Sequence, residues 1–546
     1  METPLVVAVD CSTTAVKALV VDTTGAVLAQ GVSELDTQVP QPGFHEQDAL
    51  QWLDATYDAV RRAVRQVVRR LGPRGAARIG ALAVTHQRES FVLIDGQGQP
   101  VRPAILWVDS RSHQEIAELG AKPVDGSRSV HDVSGKPPDT TPALYKLAWL
   151  ARHEPDSLVQ AAFVADVQAF VALHLTGRLV TSRASADTLG LHDAGLGQWS
   201  PSLVERAGLQ MDQLPQLVDA GEVIGGLLPH VADDLQLPAS VVLVATVGDG
   251  QAAGMALGVL PYGPQGHLLP AAPPSSLGWL SPPESDQADA DSGCLSPSKP
   301  PHTVADAVEV AYLNLGTSMV CGLASDSYVV NPAFRTLLGA QPGTYVLETV
   351  LNAAAYLASW TASLLGSTVR QLEASAMDLP AGSEGLLVLP YWNAAQSPHW
   401  DPLARGVVVG WQGSHTQGHM YRAVLEGVAY ELRGQLEALE AATGHQITVL
   451  RAVGGGAKSA LWTQILADVT GRQIHVCADQ QYSALGAALS AFQGVGWELS
   501  ADAFAVRVSS VVLPHDGRSG QYEALYQVHQ TLYPTLAATF AALAQV

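Results

Sequence analysis

The chain of 546 residues carries a formal net charge of −21, with 47% hydrophobic and 15% charged residues. A surface this acidic repels phosphate backbones, so nucleic acid is not an expected partner, and the length suffices for about two to four domains. The four cysteines form no CxxC pair and no apolar run is long enough to span a bilayer, so we expect no disulfide framework, zinc site or membrane partner. The start of the chain has neither a basic segment nor a cleavage site, which favours a soluble cytoplasmic protein.

A predicted β-meander opens the chain, and its first turn combines a carboxylate with hydroxyls. The apolar runs Leu5–Val9, Val16–Val21 and Ala26–Gly31 are typical of strands, and Asp10-Cys-Ser-Thr-Thr14 joins the first two. Such a turn offers backbone N–H groups and hydroxyls to phosphate oxygens, and a carboxylate at a strand end can hold Mg²⁺ through water. A simple Asx turn is the alternative explanation.

Two later strands are each followed by charged and aromatic residues. After a predicted amphipathic helix, Leu50–Leu71, the strand Ile79–Thr85 precedes Gln87-Arg88-Glu89, and Ala104–Leu106 precedes Trp107-Val-Asp109-Ser-Arg111. Charged groups can bridge vicinal hydroxyls and an indole can cover the C–H face of a polyol. The pattern therefore predicts a polyol-binding wall, with a surface ion-pair cluster as the alternative.

A carboxylate between two glycines follows the apolar run Val241–Val247. This motif, Gly248-Asp249-Gly250, lies at a predicted strand end, where the sites of α/β proteins cluster. We predict a turn there that lets a substrate approach Asp249, which can accept the proton of an acceptor hydroxyl. A plain Asp-Gly turn explains the residues as well.

The segment Gly263–His302 is rich in Pro, Ser and acidic residues and has no apolar periodicity. This composition predicts a flexible, solvated insertion outside the core. We therefore expect a first domain over residues 1–258, an insertion or linker over 259–307, and a second domain over 308–546.

We expect the second half to repeat the opening pattern, with strands Val308–Leu315 and Met319–Leu323 around Gly316-Thr317-Ser318. Two such units predict two domains of one ancestry that grip a polyphosphate from both sides, although two unrelated hairpins would share this local pattern.

Near the C-terminus, a glycine run joins a strand to a helix. Ile447–Val453 is the predicted strand, Gly454-Gly-Gly-Ala-Lys458 the junction and Lys458–Val469 the helix, and Ser483–Phe492 is a further small-residue helix. Backbone can approach a ribose or a planar ring at such a junction, and a helix N-terminus favours anions. The spacing fits neither a Walker A loop nor a dinucleotide fingerprint, and a plain Gly-rich turn is the alternative.

Five motifs occur together in one order along the chain. Asp10–Lys17 matches D-x-G-T-[ST]-x-x-[KR] with Ser12 in place of Gly, Gly248–Gly254 matches G-D-x-x-A-x-x-G with the last Gly one place early, and Leu315–Ser318 reads L-G-T-S. Gly454–Asp468 matches G-G-G-A-x-S-x-x-W-x-Q-x-x-A-D, and Ala484–Ala488 reads A-L-G-A-A. This series resembles the FGGY family of carbohydrate kinases, which implies an α/β fold of two actin-like (ribonuclease H-like) domains around a nucleotide-binding cleft.

The resemblance also implies an ATP-dependent sugar kinase that uses Mg²⁺, with roles for particular residues. Asp249 is then the catalytic base and Asp10 organises the metal. The implied acceptor-binding residues are Arg88, Glu89, Trp107, Asp109 and Asp249. The implied nucleotide-binding residues are Ser12, Thr13, Thr14, Lys17, Gly316, Thr317, Ser318, Gly455, Gly456 and Ala457. A homodimer is one expectation for an assembly whose state the sequence leaves open.

The acceptor is ambiguous because the motifs point to two branches of that family. Gln87-Arg88-Glu89 resembles glycerol kinases, yet Thr141 stands where those carry Tyr, and Gly250 stands where both branches carry an amide. Three other segments resemble xylulokinases: Gly43–Asp48, Pro398–Pro402 and Leu425–Arg433. We expect Gly250 to leave room for a longer acceptor. The first expectation is a pentulose such as xylulose, the second a polyol such as glycerol or erythritol, and the third a non-catalytic sugar sensor.

Overall fold

The structure is a computed structural model that describes residues 3–262, 309–392, 394–478, 481–500 and 503–545. The predicted insertion Gly263–His302 lies outside the described residues. None of the described helices is both long and apolar enough to cross a membrane.

The first half, up to residue 262, mixes strands and helices. Its strands are β1 Leu5–Cys11, β2 Ala15–Asp22, β3 Val27–Glu34, β4 Glu46–Gln47, β5 Ile79–His86, β6 Phe91–Ile94, β7 Ala104–Ile105, β8 Phe163–Asp166, β9 Val180–Ser182, β10 His192–Asp193, β11 Gln198–Trp199, β12 Gln216–Val218, β13 Val223–Gly226 and β14 Val242–Val244. Its helices are α1 Ala49–Leu71, α2 Pro73–Ala76, α3 His113–Leu119, α4 Val130–Ser134, α5 Ala143–His153, α6 Pro155–Gln160, α7 Val167–Thr176, α8 Arg183–Ala186, α9 Pro201–Arg206, α10 Pro229–Leu235 and α11 Asp249–Ala256.

The second half repeats this mixture. Its strands are β15 Glu309–Leu315, β16 Met319–Ser325, β17 Arg335–Leu338, β18 Tyr345–Leu351, β19 Leu387–Leu389, β20 Val407–Val409, β21 Ile447–Val453, β22 Gln473–Cys477 and β23 Val508–Val512. Its helices are α12 Ala355–Leu364, α13 Val369–Ala376, α14 Gln417–Thr443, α15 Ala460–Thr470, α16 Tyr482–Gly494 and α17 Ser519–Leu543.

The central sheet of the first half has the strand order β13-β14-β5-β1-β2-β3. Every residue of β1 is buried, as a continuous β-branched run predicts. β1 pairs antiparallel with β2, which sets Asp10 opposite Lys17, and parallel with β5. Helix α1 covers β2 and β3, and the Asp48 carboxylate caps its start by accepting the Leu50 N–H. The predicted meander is confirmed.

The sheet of the second half has the strand order β17-β18-β16-β15-β21-β22-β23. From β18 to β23, its pairings repeat those of β3 to β13 in the first half: two antiparallel, two parallel, then one antiparallel. A register shift even falls at the start of the parallel pair in both sheets, after Leu5 and after Glu309. The prediction that the second half restarts the opening pattern is confirmed at the level of topology.

The two halves meet through helices and through one strand. α11 packs on α16, where Gly486 allows contact because an added Cβ would lie 2.0 Å from the Ala252 carbonyl oxygen. The edge strand β17 also bonds to the first half, because the Thr336 N–H donates to the Gly135 carbonyl at 2.8 Å. The cleft between the sheets therefore has a floor that both halves build.

Two local predictions need correction. Gly248-Asp249-Gly250 is not a turn: Gly248 is the N-cap and Asp249 the first residue of α11, because the small residues that follow Asp249 form a helix. The helix predicted over Lys458–Val469 begins at Ala460, since Gly456–Lys458 form a 3₁₀ turn and Ser459 caps the helix.

Candidate active site

A cavity of about 220 Å³ lies between the two halves of the molecule. The first half contributes Thr13, Arg88, Glu89, Trp107, Thr141, Asp249, Gly250, Ala253 and Leu257, and the second half contributes Tyr312, Asn314, Ser318, Val320, Arg335, Val350, Gln396, Val453 and Ser483. The structure therefore brings together residues from three of the five sequence motifs and both polar strand ends. This volume suits a small polyhydroxy molecule rather than a polymer.

Asp249 is held at the N-terminus of α11 in the floor of the cavity. Its Oδ1 accepts the Gly250 N–H at 2.8 Å and lies 3.4 Å from the Arg88 Nε. Burial raises the pKa of Asp249, while the Arg88 guanidinium opposes that rise. About a third of its side chain (35%) still faces the cavity. A basic, reachable carboxylate in this place can accept a proton from a bound hydroxyl.

The glycines around Asp249 make room for Arg88. A Cβ on Gly248 would lie 2.4 Å from the Arg88 Cγ, and a Cβ on Gly250 would lie 3.0 Å from the Arg88 Cζ. The missing side chain of Gly250 predicts room for a longer acceptor. In the structure, the Arg88 guanidinium fills that space instead.

Arg88 and Glu89 each bond to the second half. Arg88 Nη1 lies 3.1 Å from the Glu348 carboxylate, and Glu89 Oε1 accepts from Arg335 Nη1 at 2.8 Å. Arg335 Nη2 also lies 2.6 Å from Glu348. Burial disfavours the charge on Glu348, but Arg88 and Arg335 outweigh it and lower its pKa to about 2. Glu89 has a φ of +61°, a left-handed conformation that is uncommon for non-glycine residues and clusters at functional sites.

Trp107 lines the cavity, whereas Asp109 does not. The Trp107 indole N–H donates to the Thr13 hydroxyl at 3.0 Å, so the ring is fixed beside the first turn. Asp109 is fully buried, accepts the His45 N–H at 2.7 Å and pairs with Arg111 at 2.8 Å. Asp109 is not among the cavity-lining residues, which corrects the prediction that it contacts the acceptor. Its carboxylate instead fixes the loop behind Trp107 through these two bonds.

Lys146 ties together the backbone on two sides of this wall. Its buried Nζ donates to the carbonyls of Leu106 at 3.0 Å, Trp107 at 2.9 Å and Thr141 at 3.0 Å. Burial lowers the pKa of Lys146 to about 8. The ammonium thus holds Trp107 and Thr141 in one arrangement.

Asp10 lies close to Asp249 and has an unused oxygen. Its buried Oδ1 has no hydrogen-bond partner. Burial and then the charge of Asp249 raise the pKa of Asp10 to about 7, against the effect of Lys17. Two facing carboxylates with a free oxygen fit Mg²⁺, which binds through one or two carboxylates and keeps several waters. A bound Mg²⁺ would neutralise phosphate charge, with Asp10 as its holder.

The two hydroxyl-rich turns face the cleft from opposite halves. Ser12 turns its hydroxyl inward to the Ala15 carbonyl at 2.7 Å, while Thr14 and Thr317 are exposed, and Thr13 and Ser318 line the cavity. The carbonyls of Gly316 and Thr317 accept the first N–H groups near α12. Hydroxyl-bearing residues of both turns therefore lie at the cleft, an arrangement that can hold phosphate oxygens from two sides.

A second cavity of about 680 Å³ adjoins the first at Val453. It lies at the carboxyl ends of β21 and β22, and is lined by Val453, Gly454, Ala457, Lys458, Ala460, Thr463, Gln464, Val476, Cys477, Ala478, Tyr482, Ser509, Ser510 and Val512. Its size and partly apolar walls suit a nucleoside. Of the predicted nucleotide-binding residues Gly455, Gly456 and Ala457, only Ala457 lines it. Gly455 is exposed, and Gly456 is needed for packing because a Cβ there would lie 2.8 Å from the Trp462 ring.

Sequence reasoning missed several residues of the first cavity. Arg335, Tyr312, Asn314 and Gln396 line it, and Glu348 lies directly behind it. The one local signal for the ion pair is that Arg335 and Glu348 each stand in a short apolar segment. In the structure they face one another across the β17–β18 pair. Nothing in the sequence connects them to Arg88 or Glu89, more than two hundred residues away.

Comparison with known proteins gives consistent matches along the chain. The family model of the N-terminal domain of the FGGY family of carbohydrate kinases matches residues 5–256, and that of the C-terminal domain matches residues 311–494. The chain is 30% identical over 472 residues to a xylulose kinase of Escherichia coli strain K12, across 86% of this chain and 85% of that protein. It is 25% identical over 540 residues to a xylulose kinase of Staphylococcus epidermidis strain ATCC 12228, across 97% and 96%.

A solved structure supports the same grouping. The xylulose kinase from Rhodospirillum rubrum is similar with a TM-score of 0.81 and 26% identity, over 98% of this chain and 100% of that one. The expected fold of two actin-like α/β domains is confirmed by this match and by the repeated sheet topology.

Proposed function

This chain belongs to the FGGY family of carbohydrate kinases and is an ATP-dependent sugar kinase, and we propose that it transfers the γ-phosphoryl group to a hydroxyl of a pentulose such as xylulose. The observation that carries the proposal is the position of Asp249 in a cavity of about 220 Å³ that opens towards both hydroxyl-rich turns. Similar proteins named xylulose kinases support the choice of acceptor.

In the proposed reaction, each half supplies a different part. Asp249 takes the proton of the acceptor hydroxyl, and its raised pKa improves its match to that task. Hydroxyls and N–H groups of the turns at Ser12–Thr14 and Gly316–Ser318, with Lys17, bind the phosphates. Asp10 would hold Mg²⁺, and the cavity at Ala457 receives the nucleoside.

The acceptor wall favours polyols as the second candidate. Arg88 and Glu89 line the cavity, and a guanidinium beside a carboxylate can bind two adjacent hydroxyls. A glycerol- or erythritol-type acceptor would use the same pair, with Trp107 over its C–H face.

A coupled assay of ADP release with Mg²⁺-ATP, over ketoses, aldoses, sugar acids and polyols, tests the proposal. We expect the largest kcat/KM with a pentulose. A largest value with a three- or four-carbon polyol would move the acceptor to the second candidate. ADP release that no acceptor stimulates, together with tight sugar binding, would instead indicate a sensor and overturn the proposed transfer.

A further inference from the structure

We infer that the β17–β18 pair of the second half determines acceptor specificity: Arg335 contacts the acceptor directly, and Glu348 positions Arg88 and Arg335 so that only uncharged polyhydroxy acceptors are accepted. This inference rests on the proposed function, because it concerns the acceptor side of the same cavity. It assigns part of the acceptor site to the second half, which also carries the predicted nucleotide-binding glycines.

The first support is the position of Arg335. The residue lines the cavity while its side chain is only 7% exposed, so the guanidinium is desolvated and fixed. It reaches across the cleft to Glu89 at 2.8 Å and along its own sheet to Glu348 at 2.6 Å. A rigid fork held on two sides presents its remaining N–H edge in one direction, which suits recognition of a hydroxyl.

The second support is the balance of charge in the wall. Arg88 contacts Glu348 and Asp249, and Arg335 contacts Glu89 and Glu348. The wall therefore contains two guanidiniums and three carboxylates, and each guanidinium already pairs with two of the carboxylates. An acceptor with its own carboxylate would meet like charges and no unpaired cation, so the wall favours neutral sugars over sugar acids.

The third support is that the position of β17 depends on contact between the halves. The Lys136 Nζ donates to the Thr336 carbonyl at 2.9 Å, and the Asp187 carboxylate accepts the Leu338 N–H at 3.0 Å. Arg335 is thus held in the acceptor wall by a strand that both halves fix in place.

The test uses the full-length protein with Mg²⁺-ATP and the acceptor that wild type uses best. Arg335→Lys keeps the charge but loses the fork, and Glu348→Gln keeps the shape but loses the charge. For each variant, we expect the acceptor KM to rise about 10- to 100-fold, the range that loss of one or two charge-assisted hydrogen bonds gives. The KM for ATP should stay within about twofold of wild type, since neither residue lines the nucleoside cavity.

Two further measurements separate specificity from structure. A deoxy analogue that lacks one hydroxyl should be discriminated less strongly by Arg335→Lys than by wild type. Glu89→Gln leaves Arg335 without one of its two carboxylates, and should raise the rate with a sugar acid relative to the neutral sugar. The control is Arg472→Lys. The Arg472 Nη2 bonds to the two Glu440 carboxylate oxygens at 2.8 and 2.9 Å, and neither residue lines either cavity.

The outcomes are distinguishable from failure of the proposed function. If wild type phosphorylates no acceptor, the proposed function fails first. If wild type is active but the variants change the KM values for acceptor and ATP equally, or change neither, the inference is wrong. It is also wrong if both variants unfold at 25 °C while the control remains folded, because the pair is then purely structural.

Discussion

The two halves of this molecule present equivalent turns to the cleft, with the series Asp10-Cys-Ser-Thr-Thr14 in the first and Asn314-Leu-Gly-Thr-Ser318 in the second. Each turn joins the same two antiparallel strands of a sheet with the same topology. The backbone is thus repeated, but the next-to-last residue of the first strand is the buried carboxylate Asp10 in one half and the exposed amide Asn314 in the other.

The same difference recurs two strands further along each sheet. In the first half, α11 starts at Asp249, whereas in the second half the corresponding helix, α16, starts at Tyr482 and offers Ser483 to the cavity. Both carboxylates suited to proton or metal chemistry therefore belong to the first half, and the second half offers neutral donors. The repeated fold gives each half a turn that can bind phosphate. The side chains that differ between the halves give the first half the carboxylates and the second half the neutral donors.

The largest effect is expected from removing the carboxylate at Asp249. Asp249→Asn keeps the shape but cannot accept a proton, so kcat should fall by about 10²- to 10⁴-fold. ATP binding, measured by calorimetry, should stay close to wild type because Asp249 does not line the nucleoside cavity. Turnover at the wild-type rate would show that the first half does not supply the base.

The acceptor wall should give the next largest effect. Glu89→Ala leaves Arg335 with an unpaired N–H edge in a buried site, which should cost about 1–3 kcal/mol of acceptor recognition in kcat/KM. The KM for ATP should hardly change. Glu440→Ala, which breaks the pair with Arg472, is the matched control. A loss of thermal stability with an unchanged acceptor kcat/KM would make Glu89 structural.

Asp10→Asn makes the first turn resemble the second. Activity at low Mg²⁺ should fall about 10- to 100-fold, the usual cost of losing a residue that supports a bound metal. Because burial raises the pKa of Asp10 to about 7, its ionisation destabilises the ligand-free fold progressively above pH 4 and fully above pH 7.

The same variant should therefore melt at a higher temperature than wild type at pH 8, and at a similar temperature at pH 4. The upper limit of the gain is about 4 kcal/mol, from the shift of the pKa between the unfolded and folded states. Equal melting temperatures at both pH values would contradict the burial of an ionised Asp10.

The smallest effect is expected from the reverse change in the second half. Asn314→Asp adds a negative charge at an exposed position beside the phosphate turns, so ATP affinity should fall only about two- to fivefold. Calorimetric titration with ATP at low and high salt would measure it, and the loss should shrink at high salt. A gain in ATP affinity would contradict the proposed phosphate position.

Local features of this fold were predictable and long-range contacts were not. The buried strands β1, β5 and β21 follow from apolar runs, and the cleft turns follow from small and hydroxyl residues between them. The roles of Arg335 and Glu348 depend on pairing between strands and between halves, which no local pattern encodes.

Errors at the site have the same physical origin. The sequence identifies Asp109 as a charged residue after a strand, but only the packed structure brings Arg111 and the His45 N–H to its carboxylate. A glycine at position 250 predicts open space for an acceptor, but the Arg88 side chain fills that space. Residue type predicted the chemistry available, and tertiary contacts decided which groups were still available to a ligand.

We propose that Asp249 is the base and that Asp10 serves the metal. The pH dependence of single-turnover phosphoryl transfer tests this proposal most directly. Wild type, Asp10→Asn and Asp249→Asn are compared at saturating Mg²⁺-ATP and acceptor. Wild type should lose activity as pH falls, because protonation of Asp249 removes the base. In Asp10→Asn, this loss should persist, since burial and then the charge of Glu89, rather than Asp10, raise the pKa of Asp249. In Asp249→Asn, the residual rate should be nearly independent of pH on the acid side. An acid limb that persists unchanged in Asp249→Asn would contradict the account, because another group would then be the base.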